Sequence, residues 1–341
     1  MGEAFSLGWD AVHGHEEQKA ELRAMLSEGR LSHALLFAGP DGVGKRRLAH
    51  VLAAALLCAS EDERPCGQCD SCRALQAGAH PDFYEVVPER TGKSAAVIRI
   101  DQIRAMRAEA SRLSDAGRGR VIVIDEADRM NEAAENSLLK TLEEPAGAVT
   151  FILVTSARSA LLDTIRSRCV PVSFGALSEE IIRVALVHRG IPEADAAKSA
   201  ALSDGSLGCA IHLAEGEGLS IRDEAVAFLE ELSALSMERV FPLAEEMGKW
   251  ERERLMAWLA CTAMALRDML ILYEDGGSAL LYNKDVRARL AALLSYVPKG
   301  GVFSLLSLVS ETEQRFQANV SLRLLMEGFL IRACDLRDAF R

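Results

Sequence analysis

GPDGVGKR, residues 39–46, stands between the apolar run Ala34–Ala38 and a helical pattern that continues to Leu57. A strand, a glycine-rich turn and a helix in this order form the setting of a phosphate-binding loop. Glycines let successive backbone N–H groups face a phosphate, and the start of the helix adds partial positive charge. The alternative is a glycine-rich turn that binds nothing. Every fixed position of the phosphate-loop pattern except the last is present, which favours descent from such a loop.

The end of this loop departs from the pattern. Gly39, Gly42 and Gly44 are the glycines expected to line the phosphates, and Lys45 is expected to reach the outer ones. The full pattern continues with a serine or threonine whose hydroxyl ligates magnesium, but this chain has Arg46 there. Arginine only donates hydrogen bonds and cannot ligate a cation. We therefore expect an impaired magnesium site, and the sequence leaves open whether ATP or ADP is bound.

A second signal begins with the apolar run Val121–Ile124, which leads into Asp125 and Glu126. Such a run is typical of a strand buried on both faces. An aspartate at its end can hold magnesium, and the next glutamate can polarise an attacking water. The alternative is a solvated acidic turn. Together with the upstream loop, the pattern makes Asp125 a cofactor-binding candidate and Glu126 a vestigial catalytic one.

The order of patterns predicts an α/β fold with a parallel sheet, followed by helices alone. Further strands are predicted at Phe83–Val87, Val97–Ile100 and Thr150–Val154, and Asp101 is predicted to cap the helix after the second of them. After about Phe174 the patterns are helical. The natural divisions give three predicted domains, at residues 1–174, 175–217 and 218–341.

Four of the eight cysteines form a cluster, Cys58, Cys66, Cys69 and Cys72. Four thiolates fill a tetrahedral zinc shell and leave no open position, so the predicted site is structural. A tight cluster in a cytosolic chain favours metal over disulfides. A disulfide pair and an iron–sulfur cluster are the alternatives.

Net charge and the distribution of apolar residues bear on whether the protein binds DNA or a membrane. The formal net charge is −11, whereas a free-standing DNA-binding protein is more often basic. Any DNA contact is therefore expected to depend on other chains. The sequence has no apolar run of membrane-spanning length, and its first ten residues lack a basic segment followed by an apolar one. We expect a cytoplasmic protein without a membrane partner.

The block DEADRMNEAAENSLLKTLEEP, residues 125–145, resembles the delta-prime subunits of bacterial DNA polymerase III clamp loaders, and more loosely their gamma/tau partners. Its second half, NSLLKTLEEP, is highly specific to this group. SRC at residues 167–169 is similar to a further motif of the family. The resemblance is firmest from about residue 30 to 175.

The resemblance implies an AAA+ module over residues 1–174, a helical lid over 175–217 and a helical collar over 218–341. It also implies a zinc module at residues 58–72. In the family, the arginine at Arg168 is presented to ATP held by a neighbouring subunit. Where active relatives carry a lid arginine that touches the γ-phosphate, this chain has Gly208. The alternative for Arg168 is a surface arginine paired with an acidic residue of its own chain.

The function implied is that of a rigid stator subunit in a ring with gamma/tau and delta subunits, which places the sliding clamp on primed DNA. One alternative is an ATP-hydrolysing motor subunit of the gamma/tau kind. Another is a nucleotide-binding regulator whose bound ATP or ADP only stiffens the fold. Arg46, Gly208 and the end of the sequence at Arg341 favour the stator hypothesis.

Overall fold

The computed structural model describes residues 7–60, 63–90, 96–115, 117–145, 147–274, 280–316 and 321–339. The chain divides into two compact units. The first comprises Met1–Ile182 with Gly205–Gly208, and the second comprises Arg183–Asp204 with Cys209–Arg341. The predicted boundaries of the three domains, at residues 174 and 217, differ from the boundaries of these two units. The three-domain division stays a prediction.

The first unit is built on a parallel sheet, in the order β2-β3-β4-β1-β5 over the described residues. Its strands are β1 Ala34–Ala38, β2 Phe83–Val86, β3 Arg120–Ile124, β4 Val149–Thr155 and β5 Val170–Ser173. Ala38 pairs with Thr155, and Ile124 pairs with Leu153. The carboxyl ends of β1, β3 and β4 therefore meet at one edge of the sheet, and the glycine-rich loop and the acidic turn both begin there.

Helices cover both faces of this sheet. They are α1 Glu16–Ser27, α2 Lys45–Leu57, α3 Asp70–Gln76, α4 Ile100–Ala110, α5 Glu132–Glu143 and α6 Asp163–Arg166. Side chains alternate along each strand, so Phe37 packs in one core with Leu48 of α2, and Leu36 packs in the other with Ile103 of α4 and Leu138 of α5. The predicted α/β class with a parallel sheet is confirmed.

Two local predictions between β2 and α4 are wrong. Residues 97–100 form no strand: Val97 and Ile98 make single bridges, to Glu89 and Met130. Asp101 is not the cap, because α4 already begins at Ile100. The backbone N–H of Arg99 instead donates to the side chain of Gln102 at 2.9 Å. The Gln102 side chain thus accepts the hydrogen bond of the N-cap residue, and Asp101 lies in the first turn of the helix.

The helix α5 has a side-chain cap at its start and a proline shortly after its end. The Asn131 side chain accepts a hydrogen bond from the N–H of Ala134 at 2.9 Å and caps the helix. The helix ends at Glu143, two residues before Pro145, which cannot continue it.

Helices alone make up the described part of the second unit. α7 Glu179–His188 and α9 Leu207–Glu215 cross the division between the units. The others are α8 Glu193–Leu202, α10 Gly218–Glu231, α11 Met237–Met247, α12 Arg252–Glu274, α13 Arg287–Leu293, α14 Lys299–Phe316 and α15 Leu322–Ala339. Trp258 of α12 stands edge-on to Phe228 and Phe329, with ring centroids 5.0 and 5.8 Å apart. α12 is long and apolar enough to cross a membrane, but Trp258 and Leu259 are buried in this core. Such burial is typical of a core helix.

Candidate functional site

The glycines of the loop at residues 39–46 are each required by its backbone or its surroundings. Gly42 and Gly44 have φ of 70° and 105°, the left-handed region in which a side chain is strained. A Cβ on Gly39 would clash with the carbonyl oxygen of Phe174. The sequence therefore folds here into a tight loop that leads directly into α2.

Lys45, the first residue of α2, is buried inside this loop. Its Nζ donates to the carbonyl oxygens of Gly39 at 2.8 Å and Pro40 at 2.5 Å. Burial lowers the pKa of Lys45, against the opposing attraction of Asp41 and Asp125. The ammonium group thus lies along the loop, within the segment that would surround a phosphate.

The Arg46 side chain belongs to a network of charged side chains. Its Nε and Nη2 donate to the two carboxylate oxygens of Glu85 at 2.9 and 3.0 Å. His50 Nε2 lies 2.7 Å from Glu85 Oε1, and Arg46 Nε lies 3.4 Å from Asp125 Oδ2. Burial alone would raise the pKa of Glu85, but hydrogen bonds from His50 and Arg46 lower it to about 2.

Glu85 and His50 were not predicted as site residues. Residues 46 and 50 are four apart, so both side chains lie on the same face of α2. That spacing could have indicated that Arg46 and His50 bind the same acidic residue. It could not identify Glu85, because the pairing of α2 with β2 is set by the tertiary fold.

The residues around Asp125 do not fit a magnesium ion of the usual phosphate-loop kind. Magnesium takes oxygen ligands at about 2.0–2.1 Å in near-octahedral geometry. The hydroxyl expected at residue 46 is replaced by a guanidinium 3.4 Å from the Asp125 carboxylate. Burial raises the pKa of Asp125, and the positive charge of Arg46 opposes that rise. A divalent cation held by Asp125 would therefore be repelled by the guanidinium beside it.

The acidic turn after β3 is tied to the end of β4. Asp128 Oδ1 accepts from Thr155 Oγ1 at 2.6 Å and from the N–H of Ser156 at 3.1 Å. Glu126 adopts φ of 48° and its carboxylate pairs with Arg129. This contact between Thr155 and Asp128 was not predicted, because it depends on the pairing of β4 with β3.

Gly208 lies directly on the loop. Its N–H donates to the carbonyl oxygen of Gly42 at 2.9 Å, and a Cβ at residue 208 would lie 3.1 Å from the Gly42 Cα. A Cβ on Gly42 would in turn clash with Ser206 Oγ. The glycine at this position therefore permits close backbone contact with the loop.

Arg168 follows the short helix α6. Its Nη1 donates to the carbonyl oxygen of Thr164 at 2.8 Å, and its Nη2 pairs with Glu143, the last residue of α5. The same-chain ion pair that we considered as the alternative is thus present. The side chain is 34% exposed, while the next residue, Cys169, is buried, which raises the pKa of its thiol to about 11.

The four clustered cysteines come together. The Sγ atoms of Cys58, Cys66, Cys69 and Cys72 all lie within 4.8 Å of one another. Cys58 Sγ and Cys69 Sγ are 3.9 Å apart, close to the roughly 3.8 Å expected between sulfurs that share one zinc ion. Residues 61 and 62, between the first two cysteines, lie outside the described part of the chain.

Backbone groups support the sulfurs of this cluster. The N–H of Cys66 donates to Cys58 Sγ and that of Cys72 donates to Cys69 Sγ, both at 3.4 Å. Burial opposes ionisation of Cys69, but N–H groups of Ala59 and Cys72 outweigh it and lower its pKa to about 6. All four thiols are free in the structure. The four cysteines could therefore hold one metal ion.

Comparison with known proteins gives the family. Residues 14–178 match the family model described as "DNA polymerase III, delta subunit". The chain is 31% identical to DNA polymerase III subunit delta' of Pseudomonas aeruginosa over 318 residues, which cover 89% of this chain and 92% of that protein. The chain belongs to the DNA polymerase III subunit delta' family. Identity to the Escherichia coli delta' subunit is 29%, over 92% of each chain.

The relationship extends more loosely to tau subunits. DNA polymerase III subunit tau of Escherichia coli is 34% identical over 258 residues, which cover 72% of this chain but 39% of tau. The delta' relatives are thus matched over nearly their whole length, whereas tau is matched over a part.

Proposed function

We propose that this chain is the delta-prime subunit of a bacterial clamp loader, which acts in the cytoplasm to help place the sliding clamp on primed DNA. The observation that carries the proposal is the match to delta' subunits over about nine tenths of both chains. Its direct partners would be gamma/tau and delta subunits. The clamp and primed DNA would be met through the assembled complex.

The subunit would serve as a stator that does not turn over ATP. Two observations support this role. Arg46 is bound to Glu85 and leaves no hydroxyl at residue 46, and Gly208, where the family resemblance implies an arginine in active relatives, lies against the loop. Both changes remove groups that handle the outer phosphates of ATP. Glu126, the vestigial catalytic candidate, is paired with Arg129.

Arg168 would act on an ATP molecule bound by a neighbouring gamma/tau subunit. A guanidinium can stabilise negative charge that develops on a transferred phosphoryl group. Its anchors, the carbonyl of Thr164 and the carboxylate of Glu143, belong to the ends of two helices. In the assembly, the Arg168 side chain would leave Glu143 for the phosphate, because the two are alternative anionic partners.

The cysteine cluster would hold one structural zinc ion. Four sulfur ligands that lie within 4.8 Å of one another favour zinc and leave no position for a substrate. The ion would fasten the short segment between α2 and α3, which is too small to have a core of its own. An iron–sulfur cluster on the same four cysteines is the competing outcome.

ATP turnover by the purified chain, alone and then with gamma/tau, delta, clamp and primed DNA, tests the stator role. We expect no turnover by the chain alone and DNA-stimulated turnover by the mixture. Robust turnover by the chain alone, abolished by Lys45→Ala or Glu126→Gln, would instead establish a motor subunit.

A further inference from the structure

Arg46, His50, Glu85 and Asp125 form one connected group, which we call the Arg46 network. Glu85 accepts from both Arg46 and His50, and the Arg46 guanidinium also lies 3.4 Å from Asp125. The Glu85 side chain is 19% exposed and that of Asp125 is 12% exposed. The guanidinium is therefore held in one orientation by two largely buried carboxylates.

The positive charge of Arg46 lies beside the kind of strand-end aspartate that holds a metal ion in other phosphate loops. In a phosphate loop with magnesium, the ion neutralises the strand-end aspartate and the bound phosphates together. Here one positive charge already stands beside Asp125. Bidentate contact with Glu85 uses one edge of the planar guanidinium, and the group carries N–H donors on its other edge as well.

We propose that the Arg46 guanidinium takes the place of magnesium at this loop, so that a nucleoside di- or triphosphate binds without a divalent cation. Lys45, Arg46 and the backbone N–H groups of the loop supply the positive charge. A divalent ion would have to approach Asp125 against the guanidinium. The inference concerns nucleotide binding by this chain itself and does not depend on the role of Arg168 in a neighbouring site.

Equilibrium titration of the full-length chain with a fluorescent ADP analogue tests the inference, once with excess magnesium and once with EDTA. For the wild type we expect the two dissociation constants to agree within about threefold. Arg46→Thr restores the hydroxyl and removes the guanidinium, so magnesium should tighten binding by about tenfold or more. Arg46→Lys keeps a positive charge without a hydroxyl and should remain insensitive to magnesium.

Two controls separate folding from binding. Thermal unfolding should show that each variant is folded, and Lys45→Ala should abolish binding in both buffers. Manganese binding to the wild type in the presence of ADP, followed by electron paramagnetic resonance, gives a readout that needs no variant. The inference would be overturned if the wild type bound nucleotide only with magnesium or bound it in neither buffer. It would also be overturned if the wild type held a manganese ion.

Discussion

Arg46 stands where the phosphate-loop pattern has a serine or threonine. The loop keeps its glycines and Lys45, but residue 46 carries a positive charge in place of a hydroxyl. Its partner Glu85 lies on β2, and the two are 39 positions apart in the chain. The loss of the metal ligand could be predicted from the sequence. The new partner could not, because it depends on which strand lies beside α2.

The Glu85 ion pairs predict a specific dependence of stability on pH. The folded-state pKa of Glu85, about 2, lies below its ordinary value, so the group stabilises the fold above the unfolded-state pKa. That contribution, at most roughly 3 kcal/mol, is lost as the pH falls through about 4 towards 2. Chemical unfolding should show wild type more stable than Glu85→Gln at pH 7, with the difference shrinking over that range. Glu89→Gln, at an exposed position beyond the same strand, is the matched control, and an equal loss in both variants would contradict the assignment.

Elements with strong apolar patterns were predicted well, and edges and caps were not. β1, β3 and β4 are buried, and their predicted bounds agree with the structure to within a residue or two. The strand β5, Val170–Ser173, was missed because it is short, contains Pro171 and is largely exposed at the sheet edge. The predicted strand at 97–100 failed for a related reason: a β-branched run forms a strand only where a neighbouring strand is available to pair with it.

Because the loop contacts residues 205–208, we predict that alanine destabilises the fold more at Gly42 than at Gly29. Gly42 and Gly29 have similar φ values, 70° and 65°, but a Cβ on Gly42 meets Ser206 whereas one on Gly29 meets nothing within 4 Å. Gly29→Ala should cost about 1 kcal/mol for backbone strain alone. Gly42→Ala should cost about 2–4 kcal/mol, because the clash adds to the strain. Thermal unfolding of the two variants measures the difference, and equal midpoints would show that the contact contributes nothing.

The cysteine cluster predicts one zinc ion per chain. Metal analysis of the purified protein should find zinc in a one-to-one ratio, released by a thiol-modifying reagent. Cys66→Ser should lose the ion and lower the thermal unfolding midpoint, because the ion stabilises the segment that it fastens. Cys209→Ser, at an exposed cysteine outside the cluster, should keep it. A stable chain with no metal, or with iron in place of zinc, would contradict the assignment.

At the scale of the whole molecule, an acidic chain with two compact units suits a subunit that works by assembly. The net charge of −11 would repel DNA phosphates from the isolated protein. The sequence predicted both the parallel-sheet module and the helical remainder, since the change from alternating patterns to purely helical ones is visible along the chain. What a single chain cannot display is a site completed by a neighbour, and the proposed role of Arg168 is of that kind.

The role of Arg168 in a neighbouring ATP site is tested by the DNA-stimulated ATP turnover of the reconstituted clamp loader that carries either Arg168→Ala or Arg166→Ala. Arg166 lies two residues away and pairs with Asp163 of its own helix, so it is a matched control. We predict that both variants assemble, that Arg166→Ala turns over ATP like the wild type, and that Arg168→Ala is slower because the adjacent site loses about tenfold or more of its rate. Equal turnover by the two variants would contradict the proposed action of Arg168 at the neighbouring ATP site.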